Sequence, residues 1–66
     1  MRIVLNGEGR DFPQSISLEE LIRSLGLRRE TVVAEVNRSV VQAATHPETR
    51  LAEGDQVELI QFVGGG

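Results

Sequence analysis

The stretch Gln56-Val57-Glu58-Leu59-Ile60-Gln61-Phe62-Val63 is followed by Gly64-Gly65-Gly66. Apolar and polar residues alternate at its start, which is typical of a β-strand with one face against a core. Because glycine has no Cβ, the residues after the strand predict a thin, flexible tail that can pass through a narrow slot. We therefore divide the chain into a folded domain, residues 1–63, and a tail, residues 64–66. The alternative is that these terminal glycines are only frayed.

The alternation also predicts which side of this last strand is buried. Glu58 favours the wet side, so Val57 and Leu59 are expected to face inward. Ile60 and Phe62 then lie on the opposite, open side of the sheet.

Composition excludes several classes of protein. The chain has 66 residues, a net charge of −3 and no cysteine, so one small domain without disulfides or thiolate metal sites is expected. An acidic chain with only two aromatic residues is a poor nucleic-acid binder. No segment approaches the roughly eighteen apolar residues of a membrane span. We expect a cytoplasmic protein, a monomer when free, with neither nucleic acid nor membrane as a partner.

One helix is strongly indicated in the first half of the chain. Ser17-Leu18-Glu19-Glu20 has the form of a capping box, with Ser17 as the N-cap. Gly26 suits the left-handed position that ends a helix. The apolar residues between these signals fall on one helical face: Leu18, Leu21, Ile22 and Leu25.

The remaining patterns predict strands at residues 1–5, about 10–13, 31–36, 40–41 and 56–63. Asn6-Gly7 is a favoured two-residue hairpin turn, and Pro13 places the second strand at a sheet edge because it lacks an N–H. The segment 42–50 is irregular, with a break at His46-Pro47. The order predicts an α+β domain: a mixed sheet of four to five strands with one main helix on one face.

The first and third strands alternate in the same way as the last one. Ile3 and Leu5 are expected to face the core, whereas Val4 and Val33 point to the open side. If these strands are neighbours, an exposed apolar patch results, which is typical of a docking surface. The alternative is that some of its members pack under loops. The predicted patch consists of Val4, Val33, Ile60 and Phe62.

Several motifs together resemble one known family. They are the Asn6-Gly7 hairpin, the helix start at 17–22, Val33-Ala34-Glu35-Val36-Asn37, the segment 51–58 and the Val63-Gly64-Gly65-Gly66 ending. Over essentially the whole chain, this set is similar to the ThiS-type sulfur carriers of thiamin biosynthesis. That family has the ubiquitin-like β-grasp fold, so the resemblance implies the same fold here.

The resemblance implies a carrier rather than an enzyme. In that family, an adenylyltransferase related to ubiquitin-activating enzymes (ThiF-type) uses ATP to adenylate the terminal glycine carboxylate. Sulfur from cysteine, supplied through a cysteine desulfurase, then gives a thiocarboxylate, and thiazole synthase (ThiG-type) takes the sulfur. On this sequence Gly66 would be the acceptor, with Gly64 and Gly65 as the tail. No cofactor bound by the chain itself is implied.

The residues themselves offer no catalytic constellation and no metal site. His46 precedes Pro47 in a polar segment, and we interpret it as a surface residue. Glu19 and Glu20 are interpreted as favourable charges at the helix N-terminus rather than an acid/base pair. No glycine-rich loop precedes a helix, so no phosphate cradle is predicted.

Other functions remain open on the sequence. The small subunit of molybdopterin synthase, a tRNA-thiolation carrier and a ubiquitin-like modifier would share the tail chemistry and differ in the acceptor. From another class, the domain could be a β-grasp RNA-binding or regulatory module with an idle tail. The acidity and the few aromatic residues disfavour that last alternative.

Overall fold

A computed structural model describes residues 1–62, and its central feature is a five-stranded sheet. The strands are β1 (Arg2–Leu5), β2 (Glu8–Asp11), β3 (Val32–Val36), β4 (Ser39–Val41) and β5 (Gln56–Gln61). They lie in the order β2-β1-β5-β3-β4, with β1 and β5 parallel and the other neighbours antiparallel. One helix, α1 (Leu18–Ser24), and two short 3-10 helices, Arg29–Thr31 and Ala43–Glu48, complete the fold. This mixed sheet with one main helix confirms the predicted fold class.

Two hairpins are closed by two-residue turns. Asn6 and Gly7 have φ values of 49° and 82°, and Asn37 and Arg38 have 51° and 72°. Positive φ at both central residues is the geometry that matches the right-handed twist of the flanking strands. The first turn was predicted. The second, predicted over residues 37–39 between the strands at 31–36 and 40–41, is one residue shorter, because Ser39 already belongs to β4.

The second strand lies earlier than the predicted 10–13. The two-residue turn leaves no spacer, so pairing begins at once, with Glu8 opposite Leu5. Pro13 lies beyond the end of β2, which stops at Asp11 opposite Arg2. The predicted edge position is confirmed, since β2 has only β1 as a neighbour.

Helix α1 begins and ends as its sequence predicts. The Glu20 N–H donates to the Ser17 hydroxyl at 3.0 Å, and the Ser17 N–H donates to the Glu20 carboxylate at 2.8 Å. That backbone N–H lowers the pKa of the Glu20 carboxyl below its usual value. At the other end, Gly26 has a φ of 74°. The next residue, Leu27, donates its N–H to the Ile22 carbonyl at 3.1 Å, which satisfies one of the last helical carbonyls.

The hydrophobic core lies between α1 and one face of the sheet. The inward positions predicted on β1 and β5 are confirmed, because Ile3, Leu5, Val57 and Leu59 are buried. The whole set of buried apolar residues is Ile3, Leu5, Leu18, Leu21, Ile22, Val32, Ala34, Leu51, Val57 and Leu59.

The segment 42–50 was predicted to be irregular, with His46 at the surface, and both predictions are wrong. Residues Ala43–Glu48 form a 3-10 helix that contains Pro47, and His46 is only 1% exposed. Its Nε2–H donates to the Val41 carbonyl at 3.1 Å. Because a carbonyl only accepts, Nε2 carries the proton, and Nδ1 is buried without a partner among residues 1–62. His46 is thus a structural residue that holds this segment to the end of β4.

Two asparagines fix the central strand β5. Asn37 accepts from the Gln56 N–H through Oδ1 at 3.0 Å and donates its own N–H to the Gln56 carbonyl at 2.7 Å. Where β1 ends, the Asn6 side chain continues its pairing with β5. The Leu59 N–H donates to Asn6 Oδ1 at 2.9 Å, and Asn6 Nδ2–H donates to the Leu59 carbonyl at 3.4 Å.

Substitutions at Asn6 should separate these hydrogen bonds from the backbone conformation. Asn6→Gly keeps the positive φ but loses both bonds, so the free energy of unfolding should fall by about 1 kcal/mol. Asn6→Ala also places a Cβ in the left-handed region, which adds about 1 kcal/mol of strain. Asn6→Asp is the control, because it retains the acceptor for the Leu59 N–H. Urea unfolding should show the smallest loss of unfolding free energy for Asn6→Asp, a larger one for Asn6→Gly and the largest for Asn6→Ala. Equal stability of all three variants would contradict a stabilising role for the hydrogen bonds of the Asn6 side chain.

Candidate functional site

The open face of the sheet carries a contiguous group of exposed apolar side chains. Val33 on β3 lies directly opposite Ile60 on β5, and Phe62 follows two residues later on the same face. Their exposed fractions are 38%, 52% and 46%. We call Val33, Ile60 and Phe62 the apolar cluster. Large side chains left this exposed on a small domain are typical of an interaction surface.

The structure places the fourth residue of the predicted patch elsewhere. Val4 is half-buried, and it lies opposite Gln56 in the parallel pairing of β1 and β5. Ile60 is four residues further along β5, roughly 13 Å away at the rise of a strand, and Glu58 lies between them. The sheet therefore brings Val33, Ile60 and Phe62 together and leaves Val4 apart.

Two glutamates border the apolar cluster on the same face. Glu35 and Glu58 lie directly opposite each other on β3 and β5, two residues further from Phe62 along each strand than Val33 and Ile60. Neither glutamate was predicted as a site residue. A signal was present, because Glu35 alternates with buried residues in the same way as Val33 does.

The predicted tail begins where the described residues end. Phe62 is the last of them, and its N–H donates to the Thr31 carbonyl at 3.1 Å, which ties the end of β5 to the start of β3. The tail and acceptor residues, Gly64, Gly65 and Gly66, lie outside the described residues, as does Val63. Along the sequence, Gly66 follows Phe62 by four residues. The apolar cluster therefore lies at the base of the predicted tail.

A concave region lies on the opposite side of the domain. A cavity of about 250 Å³ lies beside α1 and the loop after it, and Arg23, Arg28 and Arg29 are among its lining residues. Arg29 pairs with Glu19 and Glu30, each at 3.6 Å, and Arg28 pairs with Glu30 at 3.7 Å. Much of the positive charge of the arginines that line this cavity is thus already neutralised within the domain.

Within residues 1–62, no three His, Cys, Asp or Glu side chains are grouped as metal ligands would be. None of the helices in that range is long and apolar enough to span a bilayer.

Comparison with known sequences identifies relatives over nearly the full chain. The sequence model of the ThiS family matches residues 3–66. The sulfur carrier protein ThiS of Bacillus subtilis (strain 168) is 30% identical over 63 residues, which cover 94% of this chain and 96% of the relative.

Two further relatives are much longer proteins. The thiazole synthases of Paramagnetospirillum magneticum and Magnetococcus marinus are 35% and 41% identical over 66 residues, which is 100% of this chain. The chain spans only 20% of the length of each of these two proteins. A region similar to the whole of this domain therefore occurs within a thiazole synthase polypeptide.

A solved structure shares the fold. The crystal structure of the thiamine biosynthesis protein ThiS from Geobacter metallireducens superposes with a TM-score of 0.85 at 30% identity. The match covers 100% of both chains.

The apolar cluster and the core should respond differently to truncation. Phe62→Ala removes a side chain that is 46% exposed, so the free energy of unfolding should change by less than about 1 kcal/mol. Leu59→Ala, the control on the inward face of the same strand, should cost about 2–5 kcal/mol because it leaves a cavity in the core. Thermal or urea unfolding measures both. A loss at Phe62 as large as that at Leu59 would make Phe62 a core residue.

Proposed function

This chain belongs to the ThiS family, and on that premise we propose that it is a sulfur carrier for thiazole formation in thiamin biosynthesis. In this proposal the Gly66 carboxylate is first adenylated and then converted to a thiocarboxylate. The observation that carries the proposal is the family match itself, which runs to Gly66 and so includes the whole glycine tail.

The proposed chemistry follows from the poor reactivity of a carboxylate. Its charge and resonance oppose attack by a nucleophile. Transfer of AMP from ATP to the Gly66 carboxylate would release pyrophosphate and create a good leaving group. A sulfur nucleophile derived from cysteine would then form a C–S bond as the C–O bond to AMP breaks. Positioning of the tail in a partner's pocket would supply much of the rate enhancement.

The partners would supply all of the catalysis, so we propose a carrier that is not itself an enzyme. An adenylyltransferase of the ThiF type would use the ATP, and a cysteine desulfurase would provide the sulfur. The proposed acceptor is thiazole synthase. The relatives named thiazole synthase that contain a region similar to this chain support that choice over molybdopterin or tRNA as the destination.

The apolar cluster is the proposed docking surface for these partners. It lies at the end of β5, beside the start of the tail, so a protein that covers it would hold Gly66 close to its own active site. The stability of the free domain does not require these exposed side chains, because the core lies on the other face. Their burial would instead stabilise a complex.

The acceptor role of Gly66 can be tested by mass spectrometry. The chain would be incubated with the adenylyltransferase, ATP, cysteine, the desulfurase and a thiol reductant that cleaves the acyl disulfide, and its intact mass should rise by the difference between sulfur and oxygen. Removal of Gly66 should abolish this product, because the reacting carboxylate is displaced, while the unfolding midpoint stays unchanged. Gly66→Ala should slow the reaction because a Cβ obstructs the narrow approach. Undiminished thiocarboxylate on the shortened chain would remove Gly66 from the role.

The docking role of the apolar cluster can be tested separately. Phe62→Ala should weaken binding to thiazole synthase by about tenfold or more, as expected for a buried aromatic contact. Glu48→Ala is the control, because Glu48 is exposed on the 3-10 helix Ala43–Glu48, which packs against α1 and so lies away from the open face. Isothermal titration calorimetry would measure both. Equal affinities of the two variants would argue against the cluster as the contact surface.

A further inference from the structure

The pair Glu35 and Glu58 is an unfavourable arrangement for the isolated domain. The two residues are directly opposite in the β3–β5 register, where side chains on one face are about 5 Å apart at Cβ. Like charges in this position repel each other and destabilise a sheet. Neither carboxylate is among the ion pairs found within residues 1–62.

The surface beside this pair is concave. A depression of about 120 Å³ is lined by Glu35, Glu58, Gln56 and Arg38. Arg38 belongs to the turn between β3 and β4, and it lines the rim without an ion-pair contact to either glutamate. Two carboxylates therefore line this depression, which we call the recess. Its volume is about that of the charged group at the end of one side chain.

We propose that this recess receives an arginine or lysine side chain of thiazole synthase, and that this contact sets the orientation in which the carrier docks. The inference rests on the proposed function, which makes thiazole synthase a partner. A guanidinium group can donate hydrogen bonds to two carboxylates through its planar fork of N–H groups. The partner's charge would remove the repulsion that the free domain contains.

The position of the recess explains why a second contact is needed. The apolar cluster alone allows a partner to rotate about it, since apolar contacts are not directional. Glu58 lies four residues before Phe62 on β5, roughly 13 Å along the strand. A cation fixed at that distance from the apolar contact defines one direction along β5. That direction determines where the residues after Phe62 enter the partner.

The test compares two variants of the full chain for binding to thiazole synthase of the same organism. The variant E35Q/E58Q removes both charges and keeps the shapes of the side chains. The control E48Q removes one exposed charge from the 3-10 helix Ala43–Glu48, which lies away from the open face. Titration calorimetry at several NaCl concentrations gives the affinity and its dependence on salt.

The double variant should bind about tenfold more weakly at low salt. Its affinity should also depend less on salt, because the attraction between the two carboxylates and the partner's cation has been removed. The control should bind as the unsubstituted chain does. The melting temperature of E35Q/E58Q should equal or exceed that of the unsubstituted chain, because the repulsion is gone.

Two results would overturn the inference alone. Binding of E35Q/E58Q with the affinity and salt dependence of the control would show that no cation enters the recess. A lower melting temperature would show that Arg38 already serves as the counter-ion. The proposed function would stand in both cases, since thiocarboxylate formation and binding by the unsubstituted chain would be unaffected. Failure of the unsubstituted chain to bind thiazole synthase would remove the premise and the inference together.

Discussion

The backbone of β5 is hydrogen-bonded along both of its edges, to β1 in parallel and to β3 in antiparallel register. The two neighbours are staggered, since β1 ends at Leu5 opposite Val57, whereas β3 reaches Gln61. The Asn6 side chain continues the β1 edge to Leu59. The central strand is therefore fixed over its whole length, and Phe62 is held at its end. A strand fixed in this way also fixes which side chains face α1 and which face away.

A single helix can cover only one face of a five-stranded sheet, so this architecture has an open face by construction. Polar residues would be sufficient there for the stability of the free domain. The side chains at the end of β5 and the start of β3 are instead apolar, and the next pair on the same face consists of two glutamates. Neither feature stabilises the isolated domain. Both are explained if the face is shaped by contact with another protein rather than by folding.

Local patterns predicted most of the fold, and long-range register accounts for the errors. Asn6-Gly7, the capping box at Ser17 and the alternation in β5 depend on residues close in sequence, and each was confirmed. The burial of His46 was not predicted, because it results from packing of the segment 43–48 against α1. No local sequence pattern indicates that packing. The separation of Val4 from Ile60 follows from the stagger of β1 along β5. The facing of Glu35 and Glu58 likewise depends on the exact pairing of two strands far apart in sequence.

The short distance from the fixed end of β5 to Gly66 constrains any partner of this carrier. Gly66 is the fourth residue after Phe62, and a fully extended chain spans at most roughly 14 Å over these four steps. A partner that acts on Gly66 must therefore place its reacting groups within that radius of Phe62. A surface in contact with the apolar cluster meets this condition, whereas one on the α1 side would have to reach around the sheet. If Gly66 is the reacting residue, the geometry of the chain alone favours docking at the end of β5.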